Sequence, residues 1–162
     1  MRVLTKTEAI NFAAQVGLEG KFSHLSPELS RTEFTTDVGR RYAYAQLLTD
    51  HLFSDQCSVV CLDITAWAVW PSIQNMDLFY SYRRSLGESR RLIDAHFHVF
   101  ACSEAKEFRN ILHRSLISLF DVAGASTTTD FRFYASHNEW IDLAWQEDAP
   151  WTQGMRYFFE QT

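Results

Sequence analysis

The chain predicts a single α+β domain over residues 1–162. The expected form is a sandwich in which a mixed or mostly antiparallel sheet of four to five strands carries about four helices, mainly on one face. Three observations predict it. Residues 58–70, SVVCLDITAWAVW, alternate so that Val60, Leu62, Ile64, Ala66, Ala68 and Trp70 form one wholly apolar face, the pattern of a central strand. Residues 108–120 repeat Phe108, Ile111, Leu112, Ser115, Leu116, Leu119 and Phe120 at helical period. Residues 131–136 and 141–145 alternate on either side of a turn at Ser136, His137 and Asn138, as a hairpin does. With 162 residues, 46% of them hydrophobic, the chain can fill one core and is short for two.

The elements follow in order. Thr5-x-x-Glu8 fits a capping box, so a first helix starts there and stops before Gly17. Residues 18–35 have no clean period and read as a loop or irregular cover. Val38, Tyr42, Ala45, Leu48 and Leu52 predict a second helix with Asp37 at its positive end. Pro71 should end the central strand, since it cannot donate to a ladder, and Leu78, Tyr82 and Leu86 predict a crossover helix before Gly87. A strand over about 95–101 comes next, then the 108–120 helix with Ser103 as its cap, then the hairpin. The aromatic tail, with Trp151, Tyr157, Phe158 and Phe159, is expected to pack back on the body.

Composition narrows the function classes. No stretch approaches the roughly 18 apolar residues of a membrane span, and the start lacks the apolar run of a signal peptide, so a soluble cytoplasmic protein is expected. Cys57, Cys61 and Cys102 include no C-x-x-C pair and read as reduced thiols. The net charge is -5, and residues 120–162 hold all of it, with 7 acidic against 2 basic residues. That acidic end would repel nucleic acid and attract a basic protein, or else serve only as a solvated face.

Several constellations are candidates for chemistry. His96-x-His98 puts two imidazoles about 7 Å apart if both lie on one side of a strand. A metal would need a third ligand from Asp63, His137 or Glu139, which no spacing fixes, so no metal is expected. Asp63, a carboxylate in a buried strand, must be paired, hydrogen bonded or protonated, as a functional acid or in a structural ion pair. Ser136-His137-Asn138-Glu139 resembles a catalytic cluster in composition, but neighbours on a turn point to different sides. Arg83, Arg84, Arg90 and Arg91 could hold a phosphate or carboxylate. Twelve of the fifteen basic residues are Arg, so solvated ion pairs account for the cluster equally well. No G-x-S-x-G, Walker loop, G-x-G-x-x-G or H-E-x-x-H occurs, and no cofactor is expected.

The balance leans away from an enzyme and towards a small bacterial-type protein that binds another protein, in the manner of an immunity or antitoxin factor. Its expected surface is Trp140, Asp142, Trp145, Glu147, Asp148 and Trp151, aromatic anchors ringed by charge. Two alternatives stand beside it. One is a hydrolase or metal-assisted enzyme built around Asp63, His96, His98 and His137, and the other is a non-catalytic subunit of a homo-oligomer.

Overall fold

A computed structural model describes residues 1–22, 30–35, 37–54, 58–67, 70–145, 153–154 and 157–158, with the backbone alone at 30–34 and 70–72. The fold is α+β. Among the described residues seven strands form one sheet: β1 (Arg2–Leu4), β2 (Ser30–Thr35), β3 (Val59–Thr65), β4 (Phe97–Ala101), β5 (Asp121–Ser126), β6 (Arg132–Ala135) and β7 (Trp140–Trp145). Their order across the sheet is β1-β4-β3-β5-β6-β7-β2, and every neighbouring pair is antiparallel. The helices are α1 (Lys6–Gln15), α2 (Arg41–Leu52), α3 (Trp70–Ser85) and α4 (Ala105–Ile117).

The sheet is wider than four to five strands because β1, β2 and β5 carry weak local signals. The first is three residues long, β2 lies in the stretch expected as irregular cover, and β5 reads DVAGAS. The last is selected by its neighbours. Gly124 sits opposite Phe133, whose Cε1 would lie 2.2 Å from a Cβ at that position, so only glycine lets the phenyl ring cross the strand.

Val60, Leu62 and Ile64 project to one face, as the alternation predicts, and all three are fully buried beneath α2, α3 and α4. On this side they meet Phe100, Val122 and Phe133 from neighbouring strands, Leu48 from α2, Phe79 from α3 and Phe108 from α4. The second face is covered in part. Cys61, Phe97, Val99 and Ala125 lie under Ala9 and Phe12 of α1 and Leu18 after it. Burial pushes the Cys61 thiol up to about 12, which keeps it protonated and inert.

Local signals held where the chain makes its own contacts. The Thr5–Glu8 capping box is present in both directions, and the β6–β7 hairpin turns at 136–139 with Glu139 in the left-handed region at φ 64. Asp37 caps a 3-10 turn, Val38–Arg40, that leads into α2. From the tail, the ring of Phe158 meets Tyr44 at 5.8 Å.

Three expectations about boundaries are corrected. The central strand stops at Thr65, and Pro71 stands in the first turn of α3, where its missing N–H has no helical partner to lose. That longer helix turns Phe79 and Arg83 inward and leaves Leu78 61% exposed, so of the expected Leu78, Tyr82, Leu86 stripe only Tyr82 and Leu86 pack against the core, and both are partly exposed. Ser103 does not cap α4. It lies within the 3-10 turn Cys102–Glu104, and Glu104 instead accepts from the amide of Ala101 at 2.9 Å.

Candidate functional site

Beyond Asp63, which pairs with Phe97, β3 runs past the start of β4. The gap beside that overhang is a cleft of about 390 Å³ between Ile64–Ala66, Tyr80 of α3 and the loop 91–96. Ile64, Ala66, Leu92 and Ile93 supply its apolar lining, and Asp63, His96 and Arg91 its charged groups.

Asp63 and His96 form a hydrogen-bonded pair, Oδ1 to Nδ1 at 2.5 Å. The bond to Asp63 is the main reason the His96 imidazole is held above its ordinary pKa, against the opposing effects of partial burial and of the Lys6 charge. Nδ1 therefore carries the proton in the neutral ring, and Nε2 is the basic atom. Among the described residues nothing bonds to that Nε2.

The loop that carries His96 is fixed from behind. Arg83 is completely buried, and its guanidinium donates to the carbonyls of Arg90 at 2.6 Å and Ala95 at 2.7 Å, and from Nε to His98 Nε2 at 3.1 Å. Arg90 in turn binds the Glu88 carboxylate and donates to the carbonyl of Val3 at 2.8 Å, tying the loop to β1. Leu92 donates its amide to the Tyr80 hydroxyl at 3.0 Å. A wall anchored to α3, β1 and β4 presents His96 in one geometry, as a preorganised site requires.

These contacts overturn two expectations. The four arginines do not form an anion site, because Arg83 has its donors engaged in the interior, Arg90 is neutralised by Glu88, and Arg84 bonds to Ser81 on the exposed side of α3. Arg91 alone reaches the cleft. The two imidazoles do not share a side either. His98 is a strand residue turned to the helical face, where its Nδ1 donates to the carbonyl of His96, whereas His96 precedes the strand and swings to Asp63. Burial first, and Arg83 second, push His98 down to about 3, so it is a neutral structural link. Among the described residues no group of three or more His, Cys, Asp or Glu side chains is placed to hold a metal.

His137 belongs to a second cluster that the sequence did not reveal. Asp121, opposite Thr65 on the neighbouring strand, accepts from the amide and Nδ1 of His137, both at 2.8 Å, and from Trp67 Nε1 at 2.7 Å. Burial opposes the charge of Asp121, but these bonds and one from Tyr134 outweigh it and hold the carboxyl below its usual range. Trp67 stacks on His137 at 4.7 Å. All the carboxylate's bonds are internal, so Asp121 fastens the hairpin turn to the end of β3. Glu139 points elsewhere and pairs with Arg41 at 2.5 Å.

The expected protein-binding surface is also redrawn. Trp145 is 1% and Asp142 7% exposed, because β7 is an inner strand once β2 pairs with it, and neither offers a surface to a partner. Trp140 is half-buried, in ring contact with Tyr134 at 5.4 Å. Glu147, Asp148 and Trp151 lie outside the described residues, as does Cys57.

No described helix is long and apolar enough to cross a membrane. Comparison with known protein families, with curated proteins and with solved structures found no match.

Proposed function

We propose that the protein is an enzyme that works by general acid–base catalysis on a small organic molecule bound in the cleft beside β3. The observation that carries this reading is the 2.5 Å bond from His96 Nδ1 to Asp63 at the edge of a cavity of about 390 Å³. A carboxylate on Nδ1 fixes the tautomer and leaves Nε2 to take a proton, the relation between orienting acid and base in many hydrolytic sites. Cavities that bind ligands measure roughly 300 to 1,000 Å³, so this one suits a small substrate.

Neither Thr65 nor Tyr80 is hydrogen bonded to His96, and water is the nucleophile that fits. In the reaction Nε2 removes a proton from water as the water oxygen forms its bond to the electrophilic centre. The bond to the leaving group then breaks, and the imidazolium returns the proton to that group. Asp63 is a positioning residue in this scheme, and His96 the catalytic one.

Turnover of nitrophenyl carboxylic and phosphoric esters tests the proposal. Activity should fall about 10²- to 10⁴-fold in His96→Gln and less in Asp63→Asn, with unchanged circular dichroism in both. Activity that survives His96→Gln, or none in the native protein across both ester classes, would refute it.

A second reading, protein binding through the acidic C-terminal segment, has the 7-to-2 charge imbalance of residues 120–162 in its favour. A basic partner recovered from the host should then associate several-fold more slowly with Glu147→Lys/Asp148→Lys, and more slowly still as salt is raised. Association indifferent to both would end this reading.

A further inference from the structure

We propose that the molecule taken up by the cleft is an organic anion, a carboxylate or phosphate monoester on a short apolar body. Its charged group would meet Arg91, and its body Ala66, Tyr80 and Ile93. This rests on the catalytic reading of the same cleft and adds the class of ligand. Arg91 supports it first. Of the four clustered arginines it is the one that lines the cavity, and its side chain is 76% exposed. Asp94 engages only its Nε, at 3.3 Å, which leaves both terminal nitrogens free of described partners. Those two nitrogens are the donors that bind a carboxylate or phosphate in parallel.

The cavity's other charges do not compete for that place. Asp63 is bonded to His96, and Glu88 on the far side of the loop is bonded to Arg90. An acceptor entering the cleft therefore finds Arg91 and the His96 ring, and the carboxylate lining the cleft, Asp63, is engaged by His96 through Oδ1. The apolar half of the ligand has its own support. Ile93 is 79% exposed although it belongs to the same wall, and a hydrocarbon body lying between it and the half-buried Ala66 would cover it.

Binding of three probes tests the inference: hexanoate, its neutral counterpart hexanamide, and butyl phosphate. Each is titrated into native protein, Arg91→Gln and His96→Gln while the methyl signals of Ala66, Leu92 and Ile93 are followed by NMR. At least one anion should bind tenfold or more tightly than hexanamide and shift all three residues, and the preferred anion distinguishes carboxylate from phosphate. Arg91→Gln should abolish the preference, and His96→Gln should retain most of it. Equal binding of hexanamide, a preference that survives Arg91→Gln, or no binding of any probe would overturn the inference. Anion binding that depends on Arg91, in a protein without turnover that depends on His96, would uphold the ligand class and remove the catalytic reading alone.

Discussion

Lowering the pH should destabilise the fold through His98 before it does so through the carboxylates. The ring is fully buried, donates from Nδ1 to the carbonyl of His96 at 2.9 Å and accepts at Nε2 from Arg83 at 3.1 Å. Protonation would put a second donor against the guanidinium. The folded pKa is about 3 and the ordinary value 6.5, so between these limits the unfolded chain binds a proton that the folded chain excludes. Well below 6.5 each unit of falling pH removes about 1.4 kcal/mol of stability, and from pH 6.5, where the unfolded ring is half protonated, to 4.5 the loss comes to about 2 kcal/mol. Burial lowers His51 and His113 too, so the contribution of His98 must be read as a difference. His96 acts in the opposite sense and in a different range: its raised pKa adds stability below 6.5 that is lost as the pH climbs through the folded value. Urea unfolding of native protein and His98→Gln at pH 6.5, 5.5 and 4.5 measures the effect. The native protein should lose about 2 kcal/mol more than the variant over those two units. Parallel losses, or a His98 ring that titrates near 6.5 by NMR, would refute the reasoning.

Gly124→Ala places a Cβ 2.2 Å from the Phe133 ring, which has no room to retreat on the buried face, and should cost about 1 to 3 kcal/mol in thermal unfolding. Arg83→Leu strips the donors from two carbonyls and from His98 Nε2, so a loss of at least about 3 kcal/mol is expected in urea titration. Leu62→Ala or Ile64→Ala should each cost roughly 2 to 5 kcal/mol, and an unchanged melting temperature would contradict their place in the core.

What the sequence made legible follows the range of the contacts. The Thr5–Glu8 box, the α4 stripe from Phe108 to Leu116 and the alternation of β3, β6 and β7 are read within a few residues and stand in the structure, whereas Leu119 and Phe120 lie past the end of the helix, Leu119 at φ 54. β5 carries little local signal because Gly124, needed to make room for the Phe133 ring, seldom marks a strand. The burial of Trp145 and Asp142 depends on β2 pairing with β7, more than a hundred residues apart in the chain. At the site, Asp63 stands out in the sequence as a carboxylate in a buried strand that needs a partner. That the partner is His96 while His98 turns away follows from where β4 begins, one residue after His96. The buried role of Arg83 had no sequence signal, since it reads as one of several arginines on the end of a helix.

The state of the His96 ring tests the central claim most directly. Long-range proton–nitrogen NMR of ring-labelled protein should find the neutral imidazole protonated on Nδ1, with a pKa above 6.5 that drops in Asp63→Asn. A ring protonated on Nε2, or a pKa indifferent to Asp63→Asn, would contradict the account.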